Sequence, residues 1–390
     1  MEVRHCEERS NPKLSIVNCP LSIHLTKESC YLVFYYFCRY FKFVDRMTID
    51  ERILAFQSLC SALENTLQGK GNDRLYKQIE NEYVSNPWFI PVFVRQAIAA
   101  IVDMLKTENL QQWTEKYRQL LEKEQNPLRI GVVMAGNIPL VGFHDFLSVL
   151  ISGHTFVGKL SSNDDRLLPI IAEILCEIEP RFSLSIEFQT EKLTHIDRII
   201  ATGDNNSARY FSYYFQKYPS IIRKHCNSVA VLNGKESQEE LEHLSDDIFL
   251  YFGLGCRSVS KIYIPDDYDF VPLFNALDRY KEIINQHHKY LNNLEYQKTV
   301  HLLNCVPFFD QGISIFKENE SLASPIGVVH YQYYKNIKDV ENKINTLGEN
   351  LQCAVSNAIE NSLFFPLGQS QYPKLSDYAN GIDTMDFLNA

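Results

Sequence analysis

The 390 residues predict an α/β protein of two domains, one built on a doubly wound parallel sheet and the other a second α/β unit. Three observations carry this. Apolar runs at 129–134, 154–159 and 196–201 alternate with amphipathic helical stretches, the rhythm of a parallel sheet with helices on both faces. Ahead of them, residues 48–123 keep a helical period. Behind them, Val229–Leu232 leads into a stretch in which one helix, a Gly-x-Gly loop, a lone cysteine and one strand follow in direct succession.

Composition narrows the class. An apolar content of 45% with 12% aromatics is ample for globular packing, and a chain of this length suggests more than one core. The net charge of −10 argues against nucleic acid and anionic membrane surfaces as partners. The ten cysteines show no Cys-x-x-Cys and no regular spacing, which fits a reducing compartment and a cytoplasmic location. The sequence holds no Gly-x-Gly-x-x-Gly, no Walker loop and no zinc spacing, so no metal site is expected and a cofactor would need a less standard fingerprint.

Residues 1–46 stand apart. They hold Cys6, Cys19, Cys30 and Cys38 and no sustained period. The run Tyr31–Phe43 is short and broken by Arg39 and Lys42, so no stable membrane insertion is expected, and it lacks a signal-peptide cleavage pattern. The segment is read as a non-native or disordered extension ahead of a true start at Met47, a membrane-surface arm being the other reading.

The elements then follow in order. Thr48-x-x-Glu51 is a capping box, with Ile53, Phe56, Cys60 and Leu63 as the stripe behind it. Val94, Ile98, Ile101 and Leu105 form another stripe, opened by Pro91, and Trp88 and Trp113 read as core anchors. Residues 47–125 are thus a helical N-terminal region. Asn126-Pro127 breaks the pattern, and 126–227 is the first α/β region. Arg129–Met134 is a buried strand and Ala135-Gly136-Asn137-Ile138-Pro139 its loop. A helix follows through Phe143, Phe146, Leu147 and Leu150, then a strand at His154–Lys159. Ser161-x-x-Asp164 reads as the cap of a helix carrying Leu167, Ile170, Ile171, Ile174 and Leu175. Ile196–Ala201 is a strand, Thr202-Gly203-Asp204 a turn, and Asn205–Tyr218 a helix. Ligands of such sheets bind at the carboxyl ends of the strands, where Asn137, Lys159, Thr202 and Gly203 all lie. Singly, an Asn before a turn or a strand-end Lys is ordinary turn chemistry or a solvated charge.

Residues 228–360 form the second α/β domain. Ser237-x-x-Glu240 caps a helix whose face is Leu241, Leu244, Ile248 and Phe252; Gly253 and Gly255 end it. Val259, Lys261 and Tyr263 alternate along a strand that runs into Pro265. Cys256, on the turn between helix and strand, has the setting of a nucleophile beside backbone N–H donors; the plainer reading is one more buried small residue. Phe270–Leu303 is expected to be helical, Gly327–Gln332 a strand and Ile337–Leu347 a helix. His287 and His288 are adjacent on a helix and point apart, which rules against a joint metal site. The turn-rich tail, residues 361–390, is expected to pack back on the other domain.

Four motifs in this order resemble a known superfamily. Gly136-Asn137-Ile138-Pro139, then Gly153-x5-Lys159, then Thr202-Gly203, then Gly255-Cys256-x4-Lys261 are similar to the Asn-x-Pro loop, strand-end lysine, Thr-Gly turn and catalytic cysteine of the aldehyde dehydrogenase superfamily. With Asn-Pro-Trp-Phe at 86–89, the spacing over residues 47–390 looks most like its acyl-CoA reductase (LuxC-like) branch. The resemblance implies an aldehyde-dehydrogenase-like fold, with 126–227 as the NAD(P)-binding region and 228–360 as the catalytic domain. It makes Cys256 the nucleophile, Asn137 an oxyanion donor, and Lys159, Thr202 and Gly203 cofactor contacts. Two glutamates of the superfamily are absent: Ile222-Arg223-Lys224-His225-Cys226-Asn227-Ser228 stands where a Glu-x-Gly-Gly segment is expected, and Ser324-Pro325-Ile326-Gly327-Val328-Val329 where a Glu precedes Gly-Pro-Val. Without the first, no carboxylate activates water for deacylation, which argues against oxidation of an aldehyde to a free acid.

The expectation is therefore NADPH-dependent reduction of an acyl-CoA, of fatty type, to the aldehyde through an acyl-cysteine, with NADH as the other cofactor. The acyl donor is CoA or an acyl-carrier thioester, and Arg257 and His225 are candidates for favouring the thiolate. The alternatives are a reductase of another activated acid such as an acyl phosphate, and a non-redox acyltransferase or binding protein on the same scaffold. Subunit number stays open between a monomer and a homo-oligomer.

Overall fold

Two parallel-rich sheets follow one another along the chain, preceded by helices. A computed structural model describes residues 46–123 and 126–390; the reading of residues 1–46 as an extension lies outside the described residues but for the last of them. The first sheet holds β1 (Arg129–Val133), β2 (Thr155–Lys159), β3 (Ile186–Phe188), β4 (Arg198–Thr202) and β5 (Ser220–Arg223) in the order β3-β2-β1-β4-β5, all parallel. The chain winds outward from β1 in both directions, so the switch in winding falls between β1 and β4. The second sheet holds β6 (Asn227–Val231), β7 (Val259–Pro265), β8 (Phe309–Asp310), β9 (Ile315–Glu318), β10 (Val328–Tyr334), β11 (Leu351–Val355) and β12 (Phe364–Phe365) in the order β12-β11-β6-β7-β10-β9-β8. Only β8 and β9 pair antiparallel.

The helices form where the stripes lie. Ile49–Leu67 carries the full capping box of Thr48 and Glu51, and Phe56, Leu59 and Leu63 on its inner face are fully buried. It packs with Pro91–Met104 and Leu167–Ile178 on the first sheet, in a core that includes Phe146 and Phe156. Gln238–Phe249 and Phe270–Leu277 cover one face of the second sheet around Ile262, Val329 and Phe316. Among the described residues no helix is long and apolar enough to cross a membrane.

Several elements differ from the sequence reading. Ser161 and Asp164 do not cap a helix. The helix begins at Leu167 without a side-chain cap, and the Asp164 carboxylate turns to another loop. The helix after Gly203 ends at Tyr214, not Tyr218. The helix before Cys256 ends at Phe249, so Phe252 is not on its face. The stretch 270–303 breaks into Phe270–Leu277, Lys281–Asn285 and His288–Leu303. His287 caps the last of these, its Nδ1 accepting from Tyr290 N at 3.0 Å, while its Nε2 donates to Pro87 O at 2.7 Å. No group of three or more metal-ligating side chains exists among the described residues. Trp113 is buried and donates to Tyr378 Oη at 2.8 Å; Trp88 stacks on His287 at 4.9 Å. The strands β3, β5, β8 and β12 carry too few residues for a periodic signal.

Candidate active site

The loop that presents Cys256 is held in a strained backbone. After Phe249 the chain leaves the helix, and Tyr251, Phe252 and Gly253 take φ of 56°, 57° and 72°. Each non-glycine residue in that left-handed region costs about 1–2 kcal/mol, so packing must hold the two aromatics there. Phe252 is wedged against His287, Phe93 and Trp88, with ring centroids 4.1, 4.8 and 5.5 Å away. Gly253 adopts the third such conformation without a Cβ to clash. Two tight turns follow, Leu254 N donating to Tyr251 O at 3.1 Å and Ser258 N to Gly255 O at 3.0 Å. Ser228 Oγ on β6 donates to the Cys256 carbonyl at 2.9 Å, which ties the loop to the sheet.

Asn137 reaches this loop from β1. Its Nδ2 donates to Leu254 O at 2.8 Å, two residues ahead of Cys256. The Asn137 loop is fixed in turn by Asp164: Leu140 has φ 58°, and its N–H donates to Asp164 Oδ2 at 2.7 Å. Burial pushes the Asp164 carboxyl up to about 7, against that one hydrogen bond.

The half-buried Cys256 borders a cavity of about 180 Å³. Its walls are mainly apolar, among them Ala97, Ile101, Met104, Ile138, Leu140 and Phe143. Burial pushes the Cys256 thiol up. Opposing it are, in order, the Arg257 guanidinium, the Cys256 backbone N–H, the Arg223 guanidinium and the Arg257 backbone N–H. Arg257 is held by Asp377 O at 3.0 Å. Arg223, at the end of β5, makes a buried ion pair with Asp145 at 2.6 Å and donates to Thr384 Oγ1 at 2.8 Å. Each of the two carboxylates of the cavity wall holds a partner through one oxygen, Asp145 Oδ2 with Arg223 and Asp377 Oδ2 with Lys374 N at 2.8 Å, while Asp145 Oδ1 is buried without a hydrogen-bond partner. His144, whose imidazole burial holds neutral, donates from Nε2 to Leu375 O at 2.9 Å.

The tail completes the wall. Asp247, on the helix before Cys256, accepts from Gly368 N at 2.6 Å, Ser370 N at 2.9 Å and Ser370 Oγ at 2.6 Å. This clasp positions Gln371, which donates to Ser258 Oγ at 3.1 Å. Burial pushes Asp247 up to about 6 even so.

Asn137 and Cys256 are thus brought together, whereas Lys159, Thr202 and Gly203 lie apart from them along the carboxyl edge of the first sheet. Lys159 Nζ donates to Thr190 O at 2.9 Å and Glu191 O at 2.6 Å, leaving one N–H for a ligand. Gly203 has a packing reason of its own: a Cβ there would lie 2.8 Å from Ser207 Cβ and 2.9 Å from Phe211 Cε2. His225 is exposed and acts on Asp204; Arg223, two residues earlier, acts on Cys256 together with Arg257. Arg223, Asp145, Asp164 and Asp247 escaped the sequence reading. The signal was there for two of them: Asp145 interrupts the apolar run 143–151, and Arg223 closes the run Ile221-Ile222. Cys226 and Cys353 are buried thiols pushed up to about 11 by burial, consistent with packing.

The fold has solved counterparts. A NAD-dependent benzaldehyde dehydrogenase from Corynebacterium glutamicum superposes with a TM-score of 0.59 at 11% identity, over 88% of this chain and 83% of that one. Aldehyde dehydrogenase 21 from Physcomitrella patens, in complex with succinate, gives 0.58 at 12% identity over 80% and 74%. A NAD-dependent aldehyde dehydrogenase from Sinorhizobium meliloti gives 0.58 at 10% over 85% and 72%. No protein-family model and no curated protein matches the chain. The fold is aldehyde-dehydrogenase-like, a parallel sheet followed by a second, mixed sheet.

Proposed function

We propose that this chain is an NAD(P)H-dependent oxidoreductase that reduces an acyl-CoA, of fatty type, to its aldehyde through an acyl group carried on Cys256. The observation that carries the reading is the cavity: an apolar-walled space beside the cysteine, in which Asp145 is ion-paired with Arg223 and Asp377 is bonded to its own loop. Apolar walls suit an acyl chain. A thioester on Cys256 survives there because no free carboxylate stands ready to activate water.

The chain's own residues supply four functions. Cys256 attacks the thioester carbonyl as the thiolate, which Arg257, Arg223 and two backbone N–H groups favour. The oxyanion is met by the Cys256 N–H and by the second N–H of the Asn137 amide, donors of a kind worth about 3 kcal/mol each. CoA departs as its thiolate and takes up a proton. The residues that would hold NADPH are Lys159, Thr202 and Gly203; they flank β1 at the carboxyl edge of the sheet, and Lys159 keeps one N–H for a ribose hydroxyl or phosphate. When bound, the cofactor would supply the hydride that reduces the acyl carbon; collapse of the resulting oxyanion to the aldehyde then returns Cys256 as the thiolate.

Incubation with dodecanoyl-CoA in the absence of cofactor tests this directly. The expected result is one dodecanoyl group on Cys256 by mass spectrometry with one CoA released, and stoichiometric aldehyde on adding NADPH or NADH. Acylation without any cofactor oxidation would favour an acyltransferase instead. A stable acyl group on Cys226 would overturn the role given to Cys256.

A further inference from the structure

A second cavity lies against the second sheet, and basic side chains border it. Parallel pairing sets Lys261 on β7 beside His330 on β10, and His330 beside Lys317 on β9. Residues in register on neighbouring strands face the same side, so three basic side chains stand in a row about 10 Å wide. The end of helix His288–Leu303 adds His301. Between these elements opens a cavity of about 350 Å³, lined by Gln297, His301, Asn304, Lys317, Asn319 and His330 among others, and no carboxylate is part of its lining.

The hydrogen bonds show what this cavity lacks. His330 Nδ1 lies 3.0 Å from Ser321 O, and His301 Nδ1 lies 2.7 Å from Gln297 O. A carbonyl only accepts, so each Nδ1 carries the proton and each Nε2 is left for something else. No described residue bonds either Nε2 or the Lys317 ammonium, and both histidines are more than nine-tenths buried. Lys261, fully buried, is satisfied by Glu320 O and Gln332 Oε1, both at 2.8 Å. Burial, and after it the charge of Lys343, lowers the Lys261 ammonium to about 8. Burial together with the charges of Lys317, Lys261 and His301 lowers the His330 imidazole. The exposed Glu320 acts on Lys261, and no carboxylate is among the charges acting on His330. Basic groups this enclosed ordinarily have a counter-charge.

We propose that this cavity binds a phosphate-class dianion, held by Lys317 Nζ and by Nε2–H groups of His301 and His330. Each imidazole that is neutral takes up a proton as the anion enters, so binding weakens as pH rises through the range where His330 deprotonates. The anion is either a free phosphate or the phosphomonoester of a larger ligand such as CoA. The two sources share the same recognition chemistry.

Calorimetric titration of the whole protein with inorganic phosphate, with chloride at matched ionic strength as the control, tests the site. The expected result is saturable phosphate binding that is tighter at pH 6 than at pH 8 and weakened about tenfold or more by Lys317→Gln, the loss of one charged hydrogen bond. His330→Asn keeps a donor for Ser321 O and removes Nε2, and it should weaken phosphate in the same way. The wild-type imidazole NMR signals report the same event should either variant fold poorly: those of His301 and His330 should move with phosphate and not with chloride. Parallel titrations with CoA and dephospho-CoA separate the sources, because only a phosphomonoester ligand should prefer CoA. Phosphate binding no different from chloride, or untouched by Lys317→Gln, would overturn the proposal. So would zinc binding that Lys317→Gln tightens, since that marks a cation site. Acyl transfer at Cys256 plays no part in the phosphate readout, so the two readings stand or fall separately.

Discussion

Asn137 Nδ2 donates to the carbonyl of Leu254 at 2.8 Å, so the β1 loop is fastened to the cysteine loop two residues before Cys256. The contact steadies the turn, a role separable from the proposed donation of the second amide hydrogen to an oxyanion. Asn137→Ala should cost about 1 kcal/mol of stability for the lost hydrogen bond. It should lower the rate of Cys256 acylation by about 100-fold or more. Denaturant unfolding and stopped-flow acylation measure the two effects. A stability loss with unchanged acylation leaves Asn137 a loop fastener alone.

Lys159 tests the cofactor edge. Its remaining hydrogen bond, if made to the cofactor, is worth about 1.5–3 kcal/mol. Lys159→Ala should therefore raise the apparent KM for NADPH or NADH at least several-fold. Acylation of Cys256 in the absence of cofactor should be unaffected. An unchanged KM for both cofactors moves recognition away from β2.

Gly203 separates packing from binding. A methyl group there falls 2.8 Å from Ser207 Cβ and 2.9 Å from the Phe211 ring. Gly203→Ala should destabilise the protein by about 1–3 kcal/mol through overpacking. Removing the ring in a Gly203→Ala/Phe211→Ala double variant should cost less than the sum of the single losses. Strict additivity of the two would show that the methyl group and the ring do not meet.

Asp164 ties stability to pH. Its carboxyl is raised from 3.8 to about 7 by burial. A group whose folded pKa lies above its unfolded value contributes stability that is fully present below 3.8 and is lost as pH rises through 7. The span corresponds to at most on the order of 4 kcal/mol. Asp164→Asn keeps an acceptor for Leu140 N–H and cannot ionise, so its stability should fall less than that of the wild type between pH 4 and 7 (roughly the interval set by the two pKa values). Parallel urea midpoints for the two proteins across that interval would count against this coupling.

What the sequence determined by itself is local. The capping boxes at Thr48/Glu51 and Ser237/Glu240 both form, because each joins groups three residues apart. The strands β1, β2 and β4 and the helical stripes were legible because apolar periodicity writes burial into neighbouring positions. Cys256 could be singled out because it follows Gly253 and Gly255 in the loop between a helix and a strand. The tertiary structure decided which charges are buried and what they hold. Asp164 looks in sequence like a helix cap, yet it clasps Leu140, 24 residues earlier. Arg223 meets Asp145 across 78 residues, and Asp247 meets Ser370 across 123. The row Lys261, His330, Lys317 exists only through strand register. A charged side chain carries the same chemistry whether solvated or enclosed, and only the packing of distant elements settles how much water it loses and which partner replaces that water.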